Sequence, residues 1–243
     1  MEPAHSDFKK KLRHTAYPCQ EVGGIIFTYM GPAAKQPLLP RYEWHPLDAG
    51  QLCPVKSYLQ CNYLQGVEGD FDSAHTSFLH NNTLGNPESL KRDGAPTLDA
   101  EETPYGMRAI SIRKAGADRM YVRTSAYIMP SFSIVPGPPT EKFADDDIRG
   151  FRFWVPIDDQ TTWLYIINMR TKPFAEEERK TLRSWITPAY RRVRNAANNY
   201  LQDRKAMKLG NFTGIPGIPN QDIAMWESMG PIADRALDRL GAS

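Results

Sequence analysis

The residues best placed to do chemistry are two histidines five positions apart, His75 and His80, with Asp72 three positions before the first. Neutral imidazole is the commonest side-chain metal ligand. Two imidazoles and one carboxylate, with coordination positions left open, make the site type of non-haem Fe(II) oxygenases. The spacing imposes a condition. On a regular helix, residues four apart share a face, while residues five apart diverge by roughly 140°. His75 and His80 therefore meet one ion only if the helix is distorted between them, or if His80 lies just past its end. Asp72 and His75 share a face on such a helix. The bland alternative is a surface helix carrying two ordinary histidines.

The flanking chain has to position this segment. Val55 to Gln60 alternates and reads as a strand leading into it. The helix is expected to end by the turn signal Asn81-Asn82-Thr83. Residues 84–104 are polar and rich in Pro and Gly, and read as a mobile loop over the site. Strand-like segments follow at Gly106 to Arg113, Arg119 to Ile128, Ser131 to Val135, Gly150 to Ile157 and Thr161 to Met169. Hairpin turns are predicted at Gly116-Ala117-Asp118 and Asp158-Asp159-Gln160. Such short links argue for an antiparallel sheet. Upstream, residues 1–20 read as a polar, basic lead-in, and Glu21 to Pro32 as one strand stopped by Gly31-Pro32. Residues 33–54 carry Pro37, Pro40, Pro46 and Pro54 and read as an irregular connector. Downstream, Ala175 to Lys208 has helical propensity apart from Pro188, and Lys208 to Pro219 reads as loop. Asn220 looks like an N-cap for a helix starting at Gln221, and Ile232 to Leu240 like a second short helix.

The 243 residues, 41% hydrophobic and 24% charged, suffice for one domain with a substantial core or for two small ones. A net charge of +2 gives no sign of a nucleic-acid surface. Three scattered cysteines, Cys19, Cys53 and Cys61, are too few for a disulfide framework. The apolar runs fall short of a membrane span, and the N-terminus shows no apolar leader. A soluble cytoplasmic protein is the expectation.

The whole string Cys61-Asn62-Tyr63-Leu64-Gln65-Gly66-Val67-Glu68-Gly69-Asp70-Phe71-Asp72-Ser73-Ala74-His75, continued to His80, carries more than the pair alone. Its Asp-x-x-His-x-x-x-x-His core resembles the mononuclear-iron motif of Rieske-type aromatic-ring-hydroxylating oxygenases. The setting is similar to that of the phthalate dioxygenase-like branch. The resemblance implies an α+β, helix-grip (START-like) fold, an antiparallel sheet wrapped around helices with a cavity between. It implies a lead-in and strand over residues 1–32 that follow the family's Rieske domain. Residues 33–243 are then the catalytic domain, without the family's last helix.

The resemblance also implies roles. The family's third ligand is an acid on a late helix, and Asn220 to Ile232 resembles that helix. The ligand carried over is Asp222, with Glu227 a weaker alternative. On the residues alone, Asp222 simply suits a helix N-terminus through the dipole. Asp72 then hydrogen-bonds a ligand histidine and links it to a cluster histidine of a neighbouring subunit, a catalytic role. Asn62 and Glu68 are expected to line the same region, and Ser77, between the ligands, to reach substrate. An aromatic acid needs a cation beside its buried carboxylate. Arg108 is the first choice, ahead of Arg123 and Arg152. The implied reaction is O₂ activation at Fe(II), to hydroxylate, dihydroxylate or O-demethylate an arene. Electrons would come from a [2Fe–2S] Rieske cluster fed by an NAD(P)H-dependent reductase, within a head-to-tail homotrimer. The chain departs from the family in one respect. None of its cysteines has a histidine two or three residues on, so the Cys-x-His and Cys-x-x-His pair is missing. The cluster is expected from a missing domain or a partner chain. The competing class is a helix-grip small-molecule-binding domain without redox activity, against which both histidines and Asp222 argue.

Overall fold

The computed structural model describes residues 3, 5–81, 93–136 and 148–239. They fall into two compact units, Met1–Ala49 and Gly50–Ser243, so residues 33–49 belong with the first unit. That unit holds a short helix, α1 (Phe8–Lys11), and two strands, β1 (Cys19–Val22) and β2 (Ile25–Thr28). A single strand over Glu21 to Pro32 is not what forms. Gly23 and Gly24 take positive φ values of 60° and 77°, the conformation of a two-residue hairpin turn. The strands consequently pair antiparallel, Val22 opposite Ile25.

The second unit contains β3 (Leu52–Leu59), α2 (Tyr63–Phe71), β4 (Thr97–Thr103), β5 (Gly106–Lys114), β6 (Met120–Ile128), β7 (Phe132–Val135), β8 (Arg149–Pro156) and β9 (Thr162–Met169). The helices α3 (Glu176–Arg183), α4 (Arg204–Lys208) and α5 (Ile218–Ser228) follow. The seven strands form one sheet in the order β3-β9-β8-β7-β6-β5-β4, antiparallel throughout. This is the α+β, helix-grip arrangement. Helix α2 lies against β6, β7, β8 and α5.

The core between α2, α5 and the sheet is built from Leu59, Cys61, Val67, Trp154, Leu164, Ile223 and Trp226. Burying each large apolar side chain there contributes about 1.5–3 kcal/mol. Close approach sets the position of α2. A Cβ added to Gly66 would fall 2.1 Å from the Trp154 ring, and one added to Gly69 would fall 2.1 Å from Trp226 Nε1. Three residues apart, the two glycines share one helix face. Only there can the helix backbone rest directly on both indoles, at a propensity cost of about 1 kcal/mol per glycine.

Several segments differ from the sequence pattern. Residues 97–103, expected in a loop, form the edge strand β4; residues 84–92 of that expected loop lie outside the described residues. Helix α3 ends at Arg183, well short of Lys208. Beyond it, Pro188 is followed by left-handed backbone at Tyr190, Asn199, Tyr200 and Leu201, which no continuous helix tolerates. Helix α5 starts before Asn220, with Gly217 as N-cap and Pro219 in the first turn. The second short helix after Gly230 is a single 3₁₀ turn at Arg235–Leu237. Among the described residues no helix is long and apolar enough to cross a membrane.

Candidate metal centre

Helix α2 stops at Phe71, before both histidines. Asp72 turns the chain out of it with extended backbone, φ −70° and ψ 102°. The Asp72 Oδ1 atom then accepts from the backbone N–H groups of Ala74 (2.7 Å) and His75 (3.3 Å). This Asx-type turn starts a fresh 3₁₀ turn at His75–Ser77. The five-residue spacing is therefore met without a distorted helix. Arg113 of β5, fully buried, holds the turn from the side. Its guanidinium donates to the Ser73 hydroxyl (2.8 Å), the Ser73 carbonyl (2.5 Å) and the Asp93 carbonyl (3.0 Å). Nothing in the sequence pattern singled out Arg113, because an arginine in an alternating strand reads as a surface residue.

Helix α5 brings up the third member. Asp222 Oδ1 lies 2.9 Å from His80 Nε2 and 3.6 Å from His75 Nε2. One ligand atom from each of the three residues lies within 4.8 Å of the others. The imidazole rings stand edge to face, with centroids 5.1 Å apart. Each remaining ring nitrogen has its own partner. His75 Nδ1 faces Asp72 Oδ2 at 3.6 Å, and His80 Nδ1 faces Gln221 Oε1 at 2.7 Å. Gln221 was missed in the sequence. The only cue is its place beside Asp222, and a glutamine on a helix is usually solvated.

Electrostatics follow from these contacts. Burial alone would push the His75 imidazole down; the Asp222 and Asp72 carboxylates on its two nitrogens outweigh that and raise it to about 9. Burial would raise Asp222, but the two histidines bring its carboxyl down to about 2. Asp72 is also lowered: burial opposes the shift, and His75 and the backbone N–H groups of its turn drive it. Glu227 lies elsewhere, accepting from the Gln60 N–H (2.9 Å) and the Tyr200 hydroxyl (3.1 Å).

The three residues line a cavity of about 380 Å³, together with Thr76, Arg123 and Arg152. Of the candidate cations, Arg108 is not among its lining. It is exposed on β5, directly opposite Glu101 in the register, and pairs with it at 2.7 Å. Arg152 reaches the cavity, but its guanidinium is tied to buried Asp70, which also accepts from Ser133 and Trp154. Arg123 is 9% exposed and forms no ion pair among the described residues; the Tyr121 phenol is its polar neighbour. Asn62 is not at the cavity either. Its Oδ1 caps α2 by accepting from Leu64 N–H (2.9 Å), and its amide donates to the Asp159 carbonyl (2.8 Å). Glu68 faces outward to Arg235 at 2.7 Å. Ser77 points its hydroxyl to Arg113 (3.4 Å), and Thr76 lines the cavity instead. The change of helical phase after Phe71 accounts for that exchange.

Known proteins share the family and the fold of this chain. The LigXa C-terminal domain-like family matches residues 28–243. The chain is 39% identical over 264 residues to the phthalate 4,5-dioxygenase oxygenase subunit of Pseudomonas putida, covering 100% of this chain and 58% of that protein. It is 30% identical over 261 residues to the 3-chlorobenzoate-3,4-dioxygenase oxygenase subunit of Comamonas testosteroni, covering 96% of this chain and 59% of that one. The chain thus spans under two thirds of the length of either relative. A crystal structure of dicamba monooxygenase bound to dicamba shares the fold, with a TM-score of 0.55 and 14% identity over 88% of this chain and 59% of that one. With the family match running over residues 28–243, the chain belongs to the LigXa C-terminal domain-like family, whose members here are related to Rieske-type oxygenase subunits.

Proposed function

We propose that this chain is the mononuclear-iron catalytic part of a Rieske-type oxygenase that oxidises an aromatic acid. One observation carries the reading: the Nε2 atoms of His75 and His80 converge on a single Asp222 oxygen that lines a cavity. Two imidazole nitrogens and one carboxylate fit Fe(II) with positions left open. Bound there, iron supplies the activation of O₂. The protein's own part is to hold and orient. Asp72 and Gln221 fix the outer nitrogens of the two ligand rings. Arg123 pairs with the substrate carboxylate, and Val135, Ile148 and Ile166 keep water from the ring. Both relatives are named for dioxygenation of aromatic carboxylates, which supports a cation in this cavity. The outcome on the arene is hydroxylation, dihydroxylation or O-demethylation.

Electrons are supplied from a [2Fe–2S] Rieske cluster on another domain or chain, itself reduced by an NAD(P)H-dependent reductase. Asp72, 49% exposed on the outer side of His75, is the residue facing that donor. A head-to-tail homotrimer is the assembly that brings a neighbour's cluster to it. Protein purified without oxygen and incubated with Fe(II) is expected to hold about one iron per chain. Asp222→Ala should lose the iron and peroxide-driven oxidation together. An Asp222→Ala chain that keeps its iron would sink the reading.

A further inference from the structure

We infer that Gln221 is the positioning residue for His80, fixing which nitrogen of that ring meets the metal; the inference rests on the iron site proposed above. The two ends of the Gln221 amide are distinguished by their surroundings. Its Nε2 group donates to the Ile215 carbonyl (2.9 Å) and the Thr213 hydroxyl (3.0 Å). A carbonyl only accepts, so the NH₂ end has to face it. The Oε1 end is thereby turned to His80 Nδ1, 2.7 Å away. An amide oxygen also only accepts, so Nδ1 must carry a proton there. The lone pair of the ring is left on Nε2, the nitrogen that faces Asp222 at 2.9 Å.

Two consecutive residues of α5 therefore grip the imidazole by both nitrogens, one as co-ligand and the other as orienter. Gln221 and His80 are each only 2% exposed, so water is poorly placed to replace the amide oxygen. A buried Nδ1–H without an acceptor is expensive, which makes the neutral amide a strong determinant of ring orientation. The Gln221 amide carries no charge of its own and so adds nothing to the negative charge of Asp222.

The test uses Co(II) added to the metal-free whole chain, with two readouts: affinity, and the paramagnetically shifted resonance of the exchangeable Nδ1 proton of His80. Gln221→Met should weaken Co(II) binding by about 10–100-fold, the usual effect of losing an outer partner of a ligand histidine. Its Nδ1 proton should exchange with solvent too fast to observe, where the wild-type proton exchanges slowly. Gln221→Glu restores an acceptor of the same length facing Nδ1 and should recover the slow proton, at a cost in affinity because its carboxylate is desolvated beside Asp222 and faces the Ile215 carbonyl. The inference is overturned if Gln221→Met keeps wild-type affinity and a slow proton. Should Gln221→Met fail to fold, a Gln221→Glu chain that folds but lacks the slow proton overturns the inference by itself. A wild-type chain that takes up no Co(II) would instead sink the metal site itself.

Discussion

The two histidines of the candidate metal centre are supported in different ways. The His75 side chain is 24% exposed, and Asp72, on its outer nitrogen, is 49% exposed. The His80 side chain is 3% exposed, and Gln221, on its outer nitrogen, is buried. The charged partner sits where water screens it and another macromolecule can reach it. The neutral partner sits where a second carboxylate would have to be desolvated beside Asp222. One side of the site is thus fitted for exchange with the outside, and the other for rigidity.

The sharpest way to break this contrast is Asp72→Asn. That change keeps size and an acceptor but removes the charge. Iron should remain, because His75, His80 and Asp222 are untouched. Turnover driven by NADH in a full-length enzyme reconstituted with its reductase should be abolished, while peroxide-driven oxidation by this chain persists. Loss of iron from the Asn variant would show that the exposed side is structural too. The same contrast separates two arginines. Arg123→Met removes a buried cation from the cavity and should raise KM for an aromatic acid on the order of 100-fold. Arg108→Met should leave KM unchanged, because Arg108 already pairs with Glu101 on the outer face. Similar effects of both variants on steady-state kinetics would discredit the cavity as the substrate site.

The smallest effect is on pH. In the metal-free chain His75 is held protonated up to about pH 9 by its two carboxylates. A metal has to displace that proton, so Zn(II) affinity should rise by about tenfold per pH unit below pH 9 and level off above it. Stability of the metal-free chain runs the opposite way for His75. Its contribution is complete below the ordinary imidazole value of 6.5 and is lost as pH rises through about 9. For Asp222 the contribution is present above 3.8 and is lost as pH falls toward about 2. Zn(II) titrations and denaturant unfolding across this range give both slopes. A flat Zn(II) affinity between pH 6.5 and 9 would mean that His75 is not a ligand.

The candidate ligands His75, His80 and Asp222 could be named from the sequence because their types, together with their flanking residues, belong to a recognisable string, and the fold brings the three together. The antiparallel sheet was legible because the links between its strands are short. The path of the chain between the ligands was not. Asp72 ends α2 through hydrogen bonds to its own backbone neighbours, and a helix-period reading has no means of seeing that. Asn62, placed with the site by resemblance, caps the start of α2 instead, and Ser77, chosen because it lies between the histidines, turns its hydroxyl to Arg113. Arg108 was preferred over Arg123 for want of any burial signal; in the fold Glu101 stands across from Arg108, while Arg123 is buried at the cavity. Strand β4 escaped notice because an edge strand exposed along nearly its whole length shows no alternation.

That edge strand has a colloidal consequence. An open sheet edge invites the same edge of another copy to pair with it. Strand β4 carries Asp99, Glu101 and Glu102 within seven residues, all exposed. Laid edge to edge, two copies would bring six carboxylates along one seam, with Arg108 already engaged by Glu101. The rim of the sheet is thereby guarded against open-ended polymerisation by its own charge.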